Sequence, residues 1–151
     1  YQALRETIDE SSKKVIVFVP FRHTIDMLVQ KLRGDGITSE VIRGDVSASN
    51  RTEIFDRFQS KPDPKVLVIQ PQSAAHGVTL TAANTIVWWG PTSSLETYLQ
   101  ANARIHRAGQ DQKCTVIQLA GSAAEKRIYR MLDERINIHT AMIDLYKEIL
   151  D

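Results

Sequence analysis

Five short apolar runs, each closed by a turn signal and separated from the next by helix-period sequence, constrain this 151-residue chain more than anything else in it. The first, Lys14-Val15-Ile16-Val17-Phe18-Val19, has no polar alternation. A strand with one wet face alternates, whereas a continuous β-branched run fits a strand covered on both faces. Pro20 ends it. Ser39-Glu40-Val41-Ile42, Val66-Leu67-Val68-Ile69, Thr85-Ile86-Val87-Trp88-Trp89 and residues 114–119 read as four more strands. Strands alternating with helices make a parallel sheet with helices on both faces. Such sheets bind ligands outside the carboxyl ends of their strands, so the loops at 20–23, 43–48, 70–84, 90–93 and 120–122 are the ones to read for function.

The helices between the strands show themselves by spacing. Ile25, Leu28, Val29 and Leu32 recur at three and four residues and predict a helix over 22–33, stopped by Gly34-Asp35-Gly36. A third helix, with Ile54, Phe55 and Phe58 on its buried side, starts at a capping box on Asn50 or at Ser47. Ser93-Ser94-Leu95-Glu96 opens a helix expected to run to about residue 107, before Gly109. Ser122-Ala123-Ala124-Glu125 caps a last helix, with a break expected near Asn137. Residues 1–12 read as a short polar helix or linker. The chain opens on Tyr1 and is read as a piece of a longer polypeptide.

Composition narrows the class further. With 42% apolar and 25% charged residues the chain can build a core and is too apolar for disorder. A net charge of +1 neither requires nor excludes nucleic acid. The single cysteine, Cys114, cannot form an internal disulfide; it reads as a small buried hydrophobe and fits a reducing compartment. No apolar run approaches the roughly 18 residues of a membrane span.

No complete catalytic set is legible. The chain has no G-x-x-x-x-G-K-[ST] phosphate loop, no dinucleotide fingerprint and no G-x-S-x-G elbow. His23, His76, His106 and His139 have no metal-ligand spacing. What stands out is Gln100-Ala101-Asn102-Ala103-Arg104-Ile105-His106-Arg107-Ala108-Gly109-Gln110. On a helix Gln100, Arg104 and Arg107 share one face. Two guanidiniums on one stripe suit phosphate oxygens, which they bind in a fork.

These eleven residues resemble motif VI of the Snf2-like superfamily 2 helicases, Q-A-x-x-R-x-H-R-x-G-Q, at every fixed position. Val15 to Phe21 looks like motif IV, and Ala74 to Asn84 like motif V. Val41-Ile42-Arg43-Gly44-Asp45, Arg51 and Ile54 to Phe58 resemble the strand, turn and helix between them. The resemblance covers about residues 14–132, and the phrase from Trp88 to Gln110 is most like helicases of phages and prophages. It implies a RecA-like, three-layer α/β domain with a central, mainly parallel sheet, over 1–151. This would be the second lobe of a motor whose N-terminal lobe is not part of the chain. Three departures stand out: Ala74-Ala75 replace the usual paired glycines, Thr79 stands for an Asn or Asp, and Gly90-Pro91 replace an Asp after the fourth strand.

The roles that follow are those of the resemblance. Arg107 corresponds to an arginine finger and Arg104 to its partner near the γ-phosphate of ATP held, with Mg²⁺, mainly by the N-terminal lobe. Gln100 and Gly77 join the nucleotide contacts; Gly77 is equally readable as a turn glycine. DNA, double-stranded and gripped by its backbone, is the expected partner, with Arg22, His23, Arg43 and Ser73 as candidate contacts and a bacterial or phage-infected cytoplasm as the compartment. Trp88 and Trp89 are candidates for base stacking, with core packing preferred for at least one. The alternatives are the same lobe of a DEAD-box-like RNA helicase, whose motif VI reads H-R-x-G-R-x-x-R, and a non-catalytic α/β interaction module.

Overall fold

A computed structural model describes residues 1–74 and 78–150. Five strands form one sheet in the order β2-β3-β1-β4-β5, all neighbours parallel. They are β1 (Lys14–Phe18), β2 (Ser39–Ile42), β3 (Val66–Ile69), β4 (Ala83–Trp88) and β5 (Thr115–Gln118). The helices are α1 (Gln2–Glu10), α2 (Arg22–Gly34), α3 (Ala48–Ser60), α4 (Leu95–Asn102) and α5 (Ala123–Leu150). A 3-10 turn, Pro71–Ala74, follows β3.

The continuous apolar runs work as their composition demands. Alternate residues of one strand feed two cores, because successive side chains point to opposite faces. Val15, Val17, Val66, Val68 and Val87 pack under Leu4 and Ile8 of α1 and Ile25, Leu28 and Leu32 of α2. Ile16, Phe18, Leu67, Ile69, Ile86 and Trp88 face α3, α4 and α5 through Ile54, Phe58, Tyr98, Ala101, Tyr129 and Leu132. The result is three layers, helix–sheet–helix. Trp88 is wholly buried, stacked at 4.7 Å on Phe18 and tilted at 4.9 Å against Tyr98. Its indole N–H donates to Asn102 Oδ1 at 2.8 Å. Trp88 is therefore a core residue, and Trp89 is half-buried against the opposite core.

Of the two readings of residues 1–12 the structure has the helix: Leu4 and Ile8, four apart, seat α1 on the sheet. Three expectations need correction. The helix expected over 93–107 ends at Asn102. The last helix is continuous through Asn137, and its distal half stands off the body with Ile138, Met142, Leu145, Tyr146 and Ile149 exposed. The fifth strand lies at the sheet edge with Thr115 and Val116 exposed, and Cys114, just before it, is only partly buried. Ser47, not Asn50, caps α3, accepting from the Asn50 amide at 3.3 Å. Ser94 caps α4 in the same way through Thr97. No helix among the described residues is long and apolar enough to cross a membrane.

Candidate nucleotide and nucleic-acid interface

The residues singled out from the sequence fall into two groups, placed by different elements. Arg22, His23 and Arg43 sit at the carboxyl ends of β1 and β2. Arg22 and His23 are exposed in the first turn of α2, and the His23 ring lies 6.2 Å from that of Phe21, itself 55% exposed. Arg43 follows β2. The two arginines are joined by carboxylates that the sequence reading did not foresee. Arg22 Nη2 donates to Asp45 Oδ2, while Arg43 donates through Nε to Asp45 Oδ1 at 3.1 Å and through Nη1 to Asp26 Oδ1 at 2.9 Å. Desolvation pushes the Asp45 carboxyl up, but the Arg22 hydrogen bond and the Arg43 and Arg22 charges outweigh it and hold the group below the usual carboxylate range. The Asp26 hydrogen bond and the Asp45 charge, working against desolvation, raise the Arg43 guanidinium above its ordinary value. Exposed pairs of this kind add little stability, but they fix two long side chains in one geometry.

Arg51, on α3, braces the same loop from beneath: its Nε donates to the Val46 carbonyl at 3.1 Å and its Nη2 to the Arg43 carbonyl at 3.2 Å. Its side chain also lines a cavity of about 210 Å³ with Thr52, Phe55, Ile69, Ser73 and Arg104. That cavity links the first group to the second. Ser73, expected to contact DNA, lies in its wall, half-buried in the 3-10 turn after β3. Gly77 lies outside the described residues.

The second group is the arginine segment, which is a turn and not a helical stripe. Past Asn102 the chain leaves α4, so Gln100, Arg104 and Arg107 do not share one helix face as their spacing predicts. Gln100 is exposed on α4 and donates to Glu96 Oε1 at 3.2 Å, one turn back. Arg104 is only 3% exposed, and its carbonyl accepts from the Leu80 amide at 2.9 Å. Arg107 is half-buried, with Nε donating to the Ala103 carbonyl at 3.1 Å. Burial, and then the charge on Arg107, push the Arg104 guanidinium below its ordinary value. The fold thus holds two cations close enough for one to disfavour the other. Guanidiniums three residues apart on one turn can each fork the oxygens of a phosphate. Among the described residues no group of three His, Cys, Asp or Glu is placed to hold a metal ion.

Comparison with known proteins gives the family. Residues 1–109 match the family model described as the helicase conserved C-terminal domain. An uncharacterised ATP-dependent helicase of Mycoplasma genitalium is 31% identical over 140 residues, which are 89% of this chain and 13% of that protein. A SWI/SNF-related matrix-associated actin-dependent regulator of chromatin subfamily A-like protein 1 from Drosophila melanogaster is 31% identical over 139 residues, 88% of this chain and 18% of that one. The chain therefore spans under a fifth of the length of either relative. Among solved structures, the C-terminal part of the Fun30 ATPase domain superposes with a TM-score of 0.78 at 21% identity, covering 87% of this chain and 44% of that one. That likeness gives the fold, a RecA-like α/β domain. Matched in family model over most of its length, and in sequence to SWI/SNF-related proteins, this chain belongs to the helicase conserved C-terminal domain family, as a second RecA-like lobe of the Snf2-like kind.

Proposed function

We propose that the chain is the C-terminal lobe of an ATP-driven DNA translocase, and that its part in catalysis is to bring Arg107 and Arg104 to ATP held, with Mg²⁺, by an N-terminal RecA-like lobe of the same polypeptide. The observation that carries the reading is the arginine turn itself: Arg104 nearly buried and Arg107 half-buried, three residues apart on a turn whose backbone is tied to Leu80 ahead of β4. Closure of the lobes would set Arg107 against the γ-phosphate and Arg104 beside it, where fixed positive charge stabilises the transferring phosphoryl group. Gln100 and Gly77 are assigned to the nucleotide side of the same cleft.

The DNA-facing surface in this reading is the rim formed by Arg22, His23 and Arg43, with Ser73 behind it. Contacts there go to the phosphate backbone of a duplex, because a translocase must move over every sequence alike. A bacterial or phage-infected cytoplasm is the compartment assigned, on the phrasing of residues 88–110 alone. RNA as the track, as in a DEAD-box-like motor, is the competing outcome. SWI/SNF-related names among the relatives favour DNA.

Arg107→Ala in the longer protein tests the reading. An interaction made only in the transition state lowers kcat and leaves KM nearly unchanged. DNA-stimulated ATP turnover should fall by about 10³-fold or more. Arg107→Lys should rescue little, since an ammonium lacks the planar fork. A normal kcat in Arg107→Ala refutes the assignment, and stimulation by RNA in place of DNA moves the motor to the other class.

A further inference from the structure

Gln110 closes the arginine turn, and neither the nucleotide nor the DNA reading gives it anything to do. Its side-chain amide uses its whole hydrogen-bonding capacity. Nε2 donates to the Ile105 carbonyl at 2.9 Å and to the Ala83 carbonyl at 2.8 Å. Oε1 accepts from Lys13 Nζ at 2.9 Å and from the Gln112 amide at 3.3 Å. An amide has two donors and an oxygen with two lone pairs, so nothing is left over for a ligand. The orientation is fixed by chemistry: a lysine ammonium only donates, so the oxygen must face Lys13. Around it, the Gln110 amide donates to the Arg107 carbonyl at 3.0 Å, and Gly109 takes a φ of +94° that lets the chain turn back.

Three of the four partners lie on separate segments. Ile105 stands between Arg104 and Arg107. Ala83 is the first residue of β4, a fully buried strand. Lys13 precedes β1 and also donates to the Thr81 carbonyl at 2.8 Å and to Asp111 Oδ1 at 2.7 Å. We infer that Gln110, held by Lys13, is the positioning residue for Arg104 and Arg107: it clamps the turn that carries them to the first residue of β4, and so sets where the two guanidiniums stand before the lobes close. The inference rests on the proposed function for its catalytic consequence, but not for its geometry.

The prediction is specific to position. Misplacing a reacting group by about 1 Å costs roughly 10²-fold in rate. Gln110→Met keeps the volume and removes all four bonds. Gln110→Glu keeps the acceptor for Lys13 but turns an oxygen towards two carbonyl oxygens, so it should not rescue. Lys13→Met removes one partner of Oε1 and leaves both donations intact.

Two measurements test this. In the longer protein, Gln110→Met and Gln110→Glu should each lower DNA-stimulated kcat by about 10²-fold with KM changed little, and Lys13→Met should fall between them and the wild type. In the lobe, amide exchange at Leu80 and at position 110, whose N–H groups donate to the Arg104 and Arg107 carbonyls of the turn, should quicken in Gln110→Met while β1 and β3 amides stay protected. A normal kcat with faster exchange in the turn overturns the positioning role. Faster exchange throughout, with kcat per folded molecule unchanged, makes Gln110 a mere fold brace and overturns it too. If the wild-type protein has no nucleic-acid-stimulated ATPase, the proposed function fails, and exchange in the turn still decides whether Gln110 clamps it; unchanged exchange in Gln110→Met and Lys13→Met refutes the clamp.

Discussion

Arg104→Met should act on the fold and on the reaction by different amounts, and the two can be read separately. The side chain is 3% exposed in the wall of a 210 Å³ cavity beside Phe55, Ile69 and Leu80. Methionine keeps an apolar stem and removes the guanidinium with its interactions, and loss of a buried polar partner costs about 1–3 kcal/mol. At about 2–4 °C per kcal/mol for a chain of this size, Tm of the lobe should fall by about 2–12 °C. In the longer protein the same substitution should cut DNA-stimulated kcat per folded molecule by about 10³-fold. Differential scanning calorimetry on the lobe and steady-state ATPase on the whole protein read the two halves. An unchanged kcat per folded molecule would confine Arg104 to the fold and refute its place beside the γ-phosphate.

Two further outcomes follow from the core and the rim. Trp88→Phe keeps the stack on Phe18 but leaves Asn102 Oδ1 without the indole donor, so chemical denaturation should show a loss of about 1–3 kcal/mol; a loss under about 0.5 kcal/mol would mean that bond contributes nothing to ending α4. The Asp45 carboxyl, depressed in the folded state, supports the rim above the unfolded carboxylate pKa of about 3.9, and that support is lost as pH falls through the lower folded value. A carbon-detected NMR titration should give a midpoint below 3.9 that moves up in Arg22→Ala; a midpoint at or above 3.9 contradicts the ion-pair chain.

The central strands were legible because burial on both faces leaves a mark that neighbours cannot disguise: β3, buried at every residue, has the bounds read from the sequence. The fifth strand carried a similar mark and is nevertheless a half-exposed edge, since position within a sheet is a property of topology and not of any local run. Residues 103–107 contain nothing that forbids a helix. What ends α4 is tertiary: Asn102 is held by the Trp88 indole and the Arg104 carbonyl by the Leu80 amide. For that reason the spacing of Gln100, Arg104 and Arg107 implied one helix face where the fold has a helix end followed by a turn. The carboxylates at the rim were invisible for a related cause. Asp26 lies one helical turn beyond Arg22, a local pairing by sequence, yet it pairs with Arg43 across two elements. Gln110 was on the page as part of a motif, but two of its four partners, Lys13 and Ala83, come from segments that only the fold brings to it.

The place of β1 in the sheet bears on how the lobe is made. It is the first strand in the chain and the middle one in space, with β3 and β4 as neighbours and never β2. Val15 waits for Val66 on one side and Thr85 on the other, so no hairpin or short crossover can cover it early. During synthesis its β-branched run leaves the ribosome long before either partner exists, the circumstance in which unpaired apolar strands aggregate. Pairings so distant in sequence also slow the search for the native state, because ordering the intervening chain comes before any reward from contact. The two outer pairs, β2 with β3 and β4 with β5, are adjacent in sequence and can form as separate halves. The lobe becomes a single cooperative unit only when its oldest strand is captured between them.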